Sequence, residues 1–516
     1  MKKIKLSILV IIAFIGNQNS CYSQYHEGDT LKFWSVTYID WPPLIGSPQR
    51  EVTATCKKAG NHCYVFVENE AIQPPQSQID TLVHKFDSHF YDSLTSVYGP
   101  IPNVFDNDSN IFILVLNESN WGGYYDPAQQ MSDSIVFAKW NRHSSQRELI
   151  YIASNSFFYA GEMVAHEFGH LLHWQQDHSP EPIINPIKFW EEAWVDEGFS
   201  TFAEIFLTEN IYQNNIYNQS FFANNPDIPL IYFSDYNQVR LFMLFMYEHF
   251  GKWNYISALI SNQLNGICGV DSTLKKLGYS ETFDDAFEQW TIANFVDDSV
   301  YANGKFNYKH YNFPPCFVSN NHSAFPTSIN NCTVTPYGSD YISFYSSTPK
   351  SIIINFSGQA NAKFRVDFIL KNTTTNQIDS IISLPLNSQN QGTFITNNFG
   401  TDYNKIIMVV MNVDSAIHEG SYATYTYSAE NSSGIEDVKE KLLLSVVPNP
   451  VKDSVNIVMA NNNNTLLEII DVKGKIHFRK NFNTTTTINI SKLAKGNYVL
   501  RLTNNRETLI EKIVKE

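Results

Sequence analysis

The sequence predicts a multidomain chain: an α+β domain with a mixed sheet and a helical part, then a β-sandwich, then a small second β-sandwich at the C-terminus. Three observations carry this. Apolar runs and helical spacings mingle over residues 30–300. Apolar/polar alternation returns from about 340 to 428, and short alternating segments parted by turn residues fill the last seventy positions.

In the first domain, residues 51–56 and 63–68 read as a hairpin, 79–91 has helical spacing, and 110–116 and 148–153 read as buried strands. Segment 164–174, Val-Ala-His-Glu-Phe-Gly-His-Leu-Leu-His-Trp, is the most informative. It contains His-Glu-x-x-His, with His166 and His170 four residues apart and so stacked on one helix face, where they can share a metal ion. Glu167 stands beside them, placed to take a proton from a metal-bound water. The apolar flanks Met163, Val164, Leu171 and Leu172 predict a largely buried helix. A catalytic zinc usually has three protein ligands. The segment 189–204 offers four glutamates for the third place: Glu191, Glu192, Glu197 and Glu204.

Here the chain resembles the gluzincin metallopeptidases. Trp194-Val-Asp-Glu-Gly-Phe-Ser200 is similar to the Trp-x-x-Glu-Gly-Phe-Ala segment of the aminopeptidase N family. The resemblance implies Glu197 as the third ligand, Glu204 as a neighbour orienting a ligand histidine, and one zinc per chain. Glu191 and Glu192 are expected to be solvated charges on the first helical turn. The resemblance also implies an oxyanion-stabilising tyrosine at the start of a later apolar helix, a place that Tyr236 fits, with Tyr232 in reserve. His173 is expected to pack, with a cleft-lining role as the alternative, and His178 to lie in a loop. The spacing from His170 to Glu197 is longer than in the aminopeptidases, and a proline-rich loop at 177–186 accommodates the excess. No Gly-x-Met-Glu-Asn sequence occurs, and the order of segments is closer to the hyicolysin-like and thermolysin-like secreted proteases. Gluzincins place a mixed sheet before the motif, with an edge strand that binds substrate; Trp121-Gly-Gly-Tyr-Tyr-Asp126 is expected in that cleft wall. The Asp/Asn-rich run 106–110 could hold calcium, although a turn is its commoner use.

The chain opens with a charged n-region and an apolar run of secretory type, and no later apolar run reaches the roughly eighteen residues of a membrane span. Its last part, with Val446-Val-Pro-Asn-Pro450, Leu467–Gly474, Leu493–Leu502 and Ile513–Glu516, resembles the C-terminal sorting domain of the type IX secretion system. That implies a Bacteroidetes-type bacterium, export to the medium or outer surface, and the secretion machinery as partner. After removal of the leader five cysteines remain; spacing suggests disulfides Cys56–Cys63 and Cys316–Cys332, leaving Cys268 buried and reduced. The net charge of −15 argues against a nucleic-acid partner.

The expected organisation is a signal peptide 1–24, a zinc metallopeptidase domain 25–310, a disulfide-bearing connection 311–339, a β-sandwich 340–428, a linker 429–441 and the sorting domain 442–516. The expected function is a secreted or surface zinc endopeptidase acting on proteins or peptides. The alternatives are an aminopeptidase of the same clan and a catalytically inert surface adhesin.

Overall fold

A computed structural model of the chain describes residues 24–36, 48–101, 106, 108–118, 121–177, 191–208, 221–309, 313–348, 350–416, 418–431, 444–459, 465–503 and 508–516. The expected signal peptide up to residue 23, the loop beyond Asp177 with His178, and linker positions 432–441 lie outside the described residues. The chain divides into two compact units. The first takes in 1–219, 230–286 and 308–312, and the second takes in 220–229, 287–307 and 313–516.

The first unit holds a six-stranded mixed sheet built from β1 (Thr30–Val36), β2 (Gln49–Ala59), β3 (Cys63–Glu68), β4 (Ile111–Leu116), β5 (Gly123–Tyr125) and β6 (Leu149–Ala153), in the order β1-β2-β3-β4-β6-β5. Strands β3, β4 and β6 are mutually parallel, and every one of their residues is buried. Their sequences explain it: unbroken apolar runs suit parallel strands covered on both faces. β5 is short, antiparallel to β6, and forms the sheet edge. Helices α1 (Gln76–Lys85) and α2 (Tyr91–Tyr98) make the crossover from β3 to β4, and α3 (Asp133–Trp140) precedes β6. In the run 106–110, the amides of Asp108 and Asn110 donate to the carboxylates of Asp106 and Asp108 at 3.0 and 3.1 Å, the bonding of a turn.

After β6 come α4 (Ala160–Asp177), α5 (Ala193–Thr208), α6 (Tyr236–His249), α7 (Trp253–Ile260), α8 (Gly266–Lys276) and α9 (Phe283–Val296), the last crossing the boundary between units. Two glycines set how closely three of them approach. A Cβ on Gly169 of α4 would lie 3.1 Å from Ser200 Cα of α5, and one on Gly198 of α5 would lie 3.1 Å from Met243 Cε of α6. Those contacts bring the metal-motif helix and the following helix face to face.

In the second unit, β7 (Asn320–His322), β8 (Thr327–Val334), β9 (Ser339–Tyr345), β10 (Lys350–Gly358), β11 (Phe364–Asn372), β12 (Ile378–Ser383), β13 (Gln391–Phe399), β14 (Tyr403–Asn412) and β15 (Ala423–Asn431) form two layers. One is β12-β11-β14-β9-β7 and the other β13-β10-β15-β8; among the described strands they join where Phe399 pairs with Tyr403. Both layers feed one core, in which Phe368 stacks on Phe394 at 4.1 Å. The sandwich therefore starts at Asn320 rather than 340, and takes in most of the expected connection.

The expected disulfides are absent: all five described cysteines are free. Cys56 pairs with Phe66 across the hairpin, three residues from Cys63, which is a displacement of about 10 Å along the strand. A disulfide needs Cα atoms within about 7 Å. Cys332 faces Tyr425 within the sandwich, while buried Cys316 has its amide on the carbonyl of Asn294 in α9. Cys268 is exposed, against the expectation of burial.

The tail folds from β16 (Leu444–Val447), β17 (Ser454–Met459), β18 (Thr465–Asp471), β19 (Ile476–Phe482), β20 (Thr485–Asn489), β21 (Gly496–Thr503) and β22 (Thr508–Lys515). A three-stranded sheet β16-β17-β20 and a four-stranded sheet β19-β18-β21-β22 share a core that includes Val455, Ile457, Leu467, Ile469, Leu500 and Ile513. The Val-Val-Pro-Asn-Pro motif has a mechanical use. Asn449 donates to the carbonyl of Lys512 at 2.7 Å and accepts from the amide of Val514 at 2.9 Å, so the first segment holds the last strand. Among the described residues no helix is long and apolar enough to cross a membrane.

Candidate functional site: a His-His-Glu constellation in an open cleft

Helix α4 follows the buried strand β6 after a short 3-10 helix at Ser154–Tyr159, so the anchored sheet fixes where its motif lies. His166 and His170 project from one face with Nε2 atoms 3.2 Å apart. Glu197, on the facing side of α5, brings Oε2 to 3.2 Å from Nε2 of His166 and 3.6 Å from Nε2 of His170. These three residues converge closely enough to hold one metal ion. Among the described residues no group makes a well-formed hydrogen bond to buried Glu197 Oε2, despite the two imidazoles beside it.

The electrostatics belong to a group of charges kept from water. Burial works against charge on His166, but Glu197 and Glu204 outweigh it and raise its pKa to about 9. Burial likewise opposes charge on His170, and Asp196 and Glu197 drive its pKa well above the usual range. Glu197 would be raised by burial, yet the two histidines hold it at about 2. Glu167 moves the other way: desolvation lifts it to about 7, only partly countered by the histidines.

Sequence reasoning passed over Asp196. Its two oxygens divide between two histidines: Oδ2 lies 2.9 Å from Nδ1 of His170, and Oδ1 lies 2.6 Å from Nδ1 of His173. Such a carboxylate fixes the ring orientation of a histidine whose other nitrogen points to a metal. The signal was available, since neighbours 196 and 197 are 100° apart on a helix and can both face α4. Glu204 lies 3.8 Å from Nδ1 of His166, close to that ring but beyond hydrogen-bond distance.

A cleft of about 840 Å³ opens over these groups and is lined by Gly122, Gly123, Tyr159, Glu162, Met163, His166, Glu167, Thr201, Glu204, Asp235, Tyr236, Asn237 and Arg240. The paired glycines lie in its wall, at and beside edge strand β5. A Cβ on Gly123 would meet Glu167 Oε1 at 3.1 Å, so only glycine leaves the space beside that carboxylate open. Tyr236 is the first residue of α6, where Asp235 caps the helix by accepting the amide of Gln238 at 2.8 Å. Its ring is half-exposed, with its centroid 6.0 Å from that of His166. Burial and the three glutamates keep its phenol protonated, with a raised pKa. Tyr232 does not line the cleft.

The remaining histidine and glutamates of this region fall elsewhere. His173 is buried behind the cleft rather than lining it. Glu191 is buried, not solvated as expected: its Oε1 accepts the amides of Glu192 and Gly266, each at 2.7 Å. Glu192 accepts from the indole of Trp194 at 2.7 Å.

Residues 445–516 match the model of the secretion system C-terminal sorting domain. The chain ends in a type IX sorting domain, and the protein is exported, to the medium or to the outer cell surface. No curated protein matches the chain. Among solved structures it is similar to the pre-peptidase C-terminal domain of a collagenase from Bacillus anthracis, with 16% identity, 23% of this chain and 100% of that one covered, and a TM-score of 0.17. It is also similar to the β-glucuronidase of Faecalibacterium prausnitzii, with 9% identity, 34% and 36% covered and a TM-score of 0.14. That of Ruminococcus gnavus gives 9%, 34%, 35% and 0.16. The chain spans about a third of the length of these glucuronidases, and none of the three likenesses carries an argument.

Proposed function

We propose that the protein is an exported zinc-dependent endopeptidase of gluzincin type, hydrolysing peptide bonds of proteins outside the cell. The observation that carries this reading is the triangle of Nε2, Nε2 and Oε2 atoms, with edges of 3.2, 3.2 and 3.6 Å, at an open cleft beside Glu167. The donor set fits the ion: tetrahedral zinc with arms of about 2.0–2.2 Å has ligand–ligand edges of about 3.3–3.6 Å. Held by His166, His170 and Glu197, zinc supplies Lewis acidity and makes a bound water acidic near neutral pH.

The chain's own groups do the rest. Glu167, shielded from solvent, accepts the proton of the attacking water on a carboxylate oxygen and gives it to the departing amine nitrogen. Tyr236 donates its phenolic O–H to the carbonyl oxygen as negative charge develops there. The outer edge of β5, with Gly122 and Gly123, offers backbone groups to an extended peptide, in the way a strand adds to a sheet. A cleft open to solvent, together with the missing Gly-x-Met-Glu-Asn sequence, favours internal peptide bonds over free amino termini.

Casein hydrolysis by the full chain provides the test. Activity is expected, lost on chelation and restored by zinc. Glu167→Gln is expected to keep its metal while turnover falls by about 10²–10⁴-fold. A pure variant retaining more than a tenth of wild-type activity would remove Glu167 from the reaction. An inactive but zinc-loaded wild type would turn the reading toward a binding protein.

A further inference from the structure

Helix α4 carries a second ligand-type pair at the same spacing as the first. His173 and Asp177 are four residues apart, and Glu191, just before α5, meets them as Glu197 meets His166 and His170. One ligand-type atom from each of His173, Asp177 and Glu191 lies within 4.8 Å of the others, and all three side chains are buried. We propose that His173, Asp177 and Glu191 hold a second divalent cation, zinc by the nature of the donors, behind the cleft and joined to the first site through Asp196.

A further observation points to an occupant. The Nδ1 of His173 is engaged by Asp196, which leaves Nε2 as its open nitrogen; that atom is buried and has no hydrogen-bond partner among the described residues. A buried polar atom left without a partner costs about 1–3 kcal/mol, so this nitrogen calls for something bound beside it. A single water could meet it but would bring no charge. Asp177 and Glu191 are two buried carboxylates beside one imidazole already shared with Asp196. Nitrogen plus two carboxylate oxygens is a donor set suited to zinc. Glu191 is also held in place independently of any ion, by the amides of Glu192 and Gly266 on Oε1. The arrangement repeats the logic of the first site: a carboxylate holds one ring nitrogen of the histidine and the metal takes the other. A cation so placed would stiffen the end of α4 against the start of α5, whatever chemistry the cleft performs.

Metal content separates the two sites. The full chain, purified in zinc-containing buffer and freed of loose metal, is assayed by mass spectrometry as wild type, Glu191→Gln and Glu197→Ala. Glutamine at 191 can still accept from Gly266 and Glu192 while losing the charge. Two zinc ions in wild type and one in each variant are expected. One ion in wild type, kept by Glu191→Gln and lost by Glu197→Ala, would overturn the second site and leave the first intact. Two ions retained by Glu191→Gln would overturn it as well. Should that variant not fold, anomalous diffraction at the zinc edge from wild-type crystals decides: a peak among His173, Asp177 and Glu191 supports the site, and its absence there refutes it.

Discussion

Asp196 is the residue on which the local arrangement turns. It gives one oxygen to His170 and the other to His173, and burial would raise its pKa were those two rings not pulling it far down. Asp196→Asn keeps the shape but offers one acceptor oxygen where two are used. Zinc affinity is expected to fall by about 10–100-fold, read by competition with a chromophoric chelator. An unchanged affinity would mean that packing alone orients His170. The convergence of His166 and His170 was legible because a four-residue spacing on a helix has one geometric meaning. Asp196 was passed over: the 100° between 196 and 197 lets both acids face α4, but spacing alone does not say that the first of them reaches a ring nitrogen. Glu191 was misread for a related reason: an acid before a helix is usually solvated, and the α8 amide that receives it lies 75 residues away.

Among elements, strands of unbroken apolar sequence or clear alternation were readable, and strands of mostly polar sequence were not. The runs 111–116 and 149–153 announce buried strands. Thr327–Val334 alternates with mostly polar residues and is largely uncovered, so nothing in it marks the start of a sandwich. Cysteine spacing misled because it fixes distance along the chain but not register; one hairpin offset of three residues is enough to forbid the bond. In the same sandwich Asp340 of β9 accepts the phenol of Tyr425 at 2.6 Å, and burial together with Asp227 lifts its pKa to about 7. Folding thus favours the protonated acid. Its contribution is whole below the unfolded pKa near 4, and is lost as pH climbs from about 4 to 7. Asp340→Asn is therefore expected to stabilise the protein by roughly 1–3 kcal/mol at pH 8 and hardly at all at pH 4.5. Calorimetry at the two values checks this, and an equal effect at both would count against it.

For the molecule as a whole, destination is written in the last seventy-two residues, a count that follows from the matched range 445–516. Removing residues 444–516 is expected to leave the protein inside the cell envelope, and fractionation of culture medium, surface and periplasm would show where it accumulates. Appearance of the truncated chain in the medium at wild-type level would mean that another signal suffices. The architecture explains why the tail was readable: motif and turn chemistry recur along its whole length, whereas the cleft draws its parts from segments more than a hundred residues apart. The tail also closes upon itself. Asn449 grips the last strand, the amide of Val451 bonds the carbonyl of Val514, and the apolar side chains of both small sheets face one another. The core of the tail draws on residues from Val446 to Ile513 and that of the sandwich on residues from Phe325 to Ala429, so the two share no side chain. Address and parcel are wrapped separately.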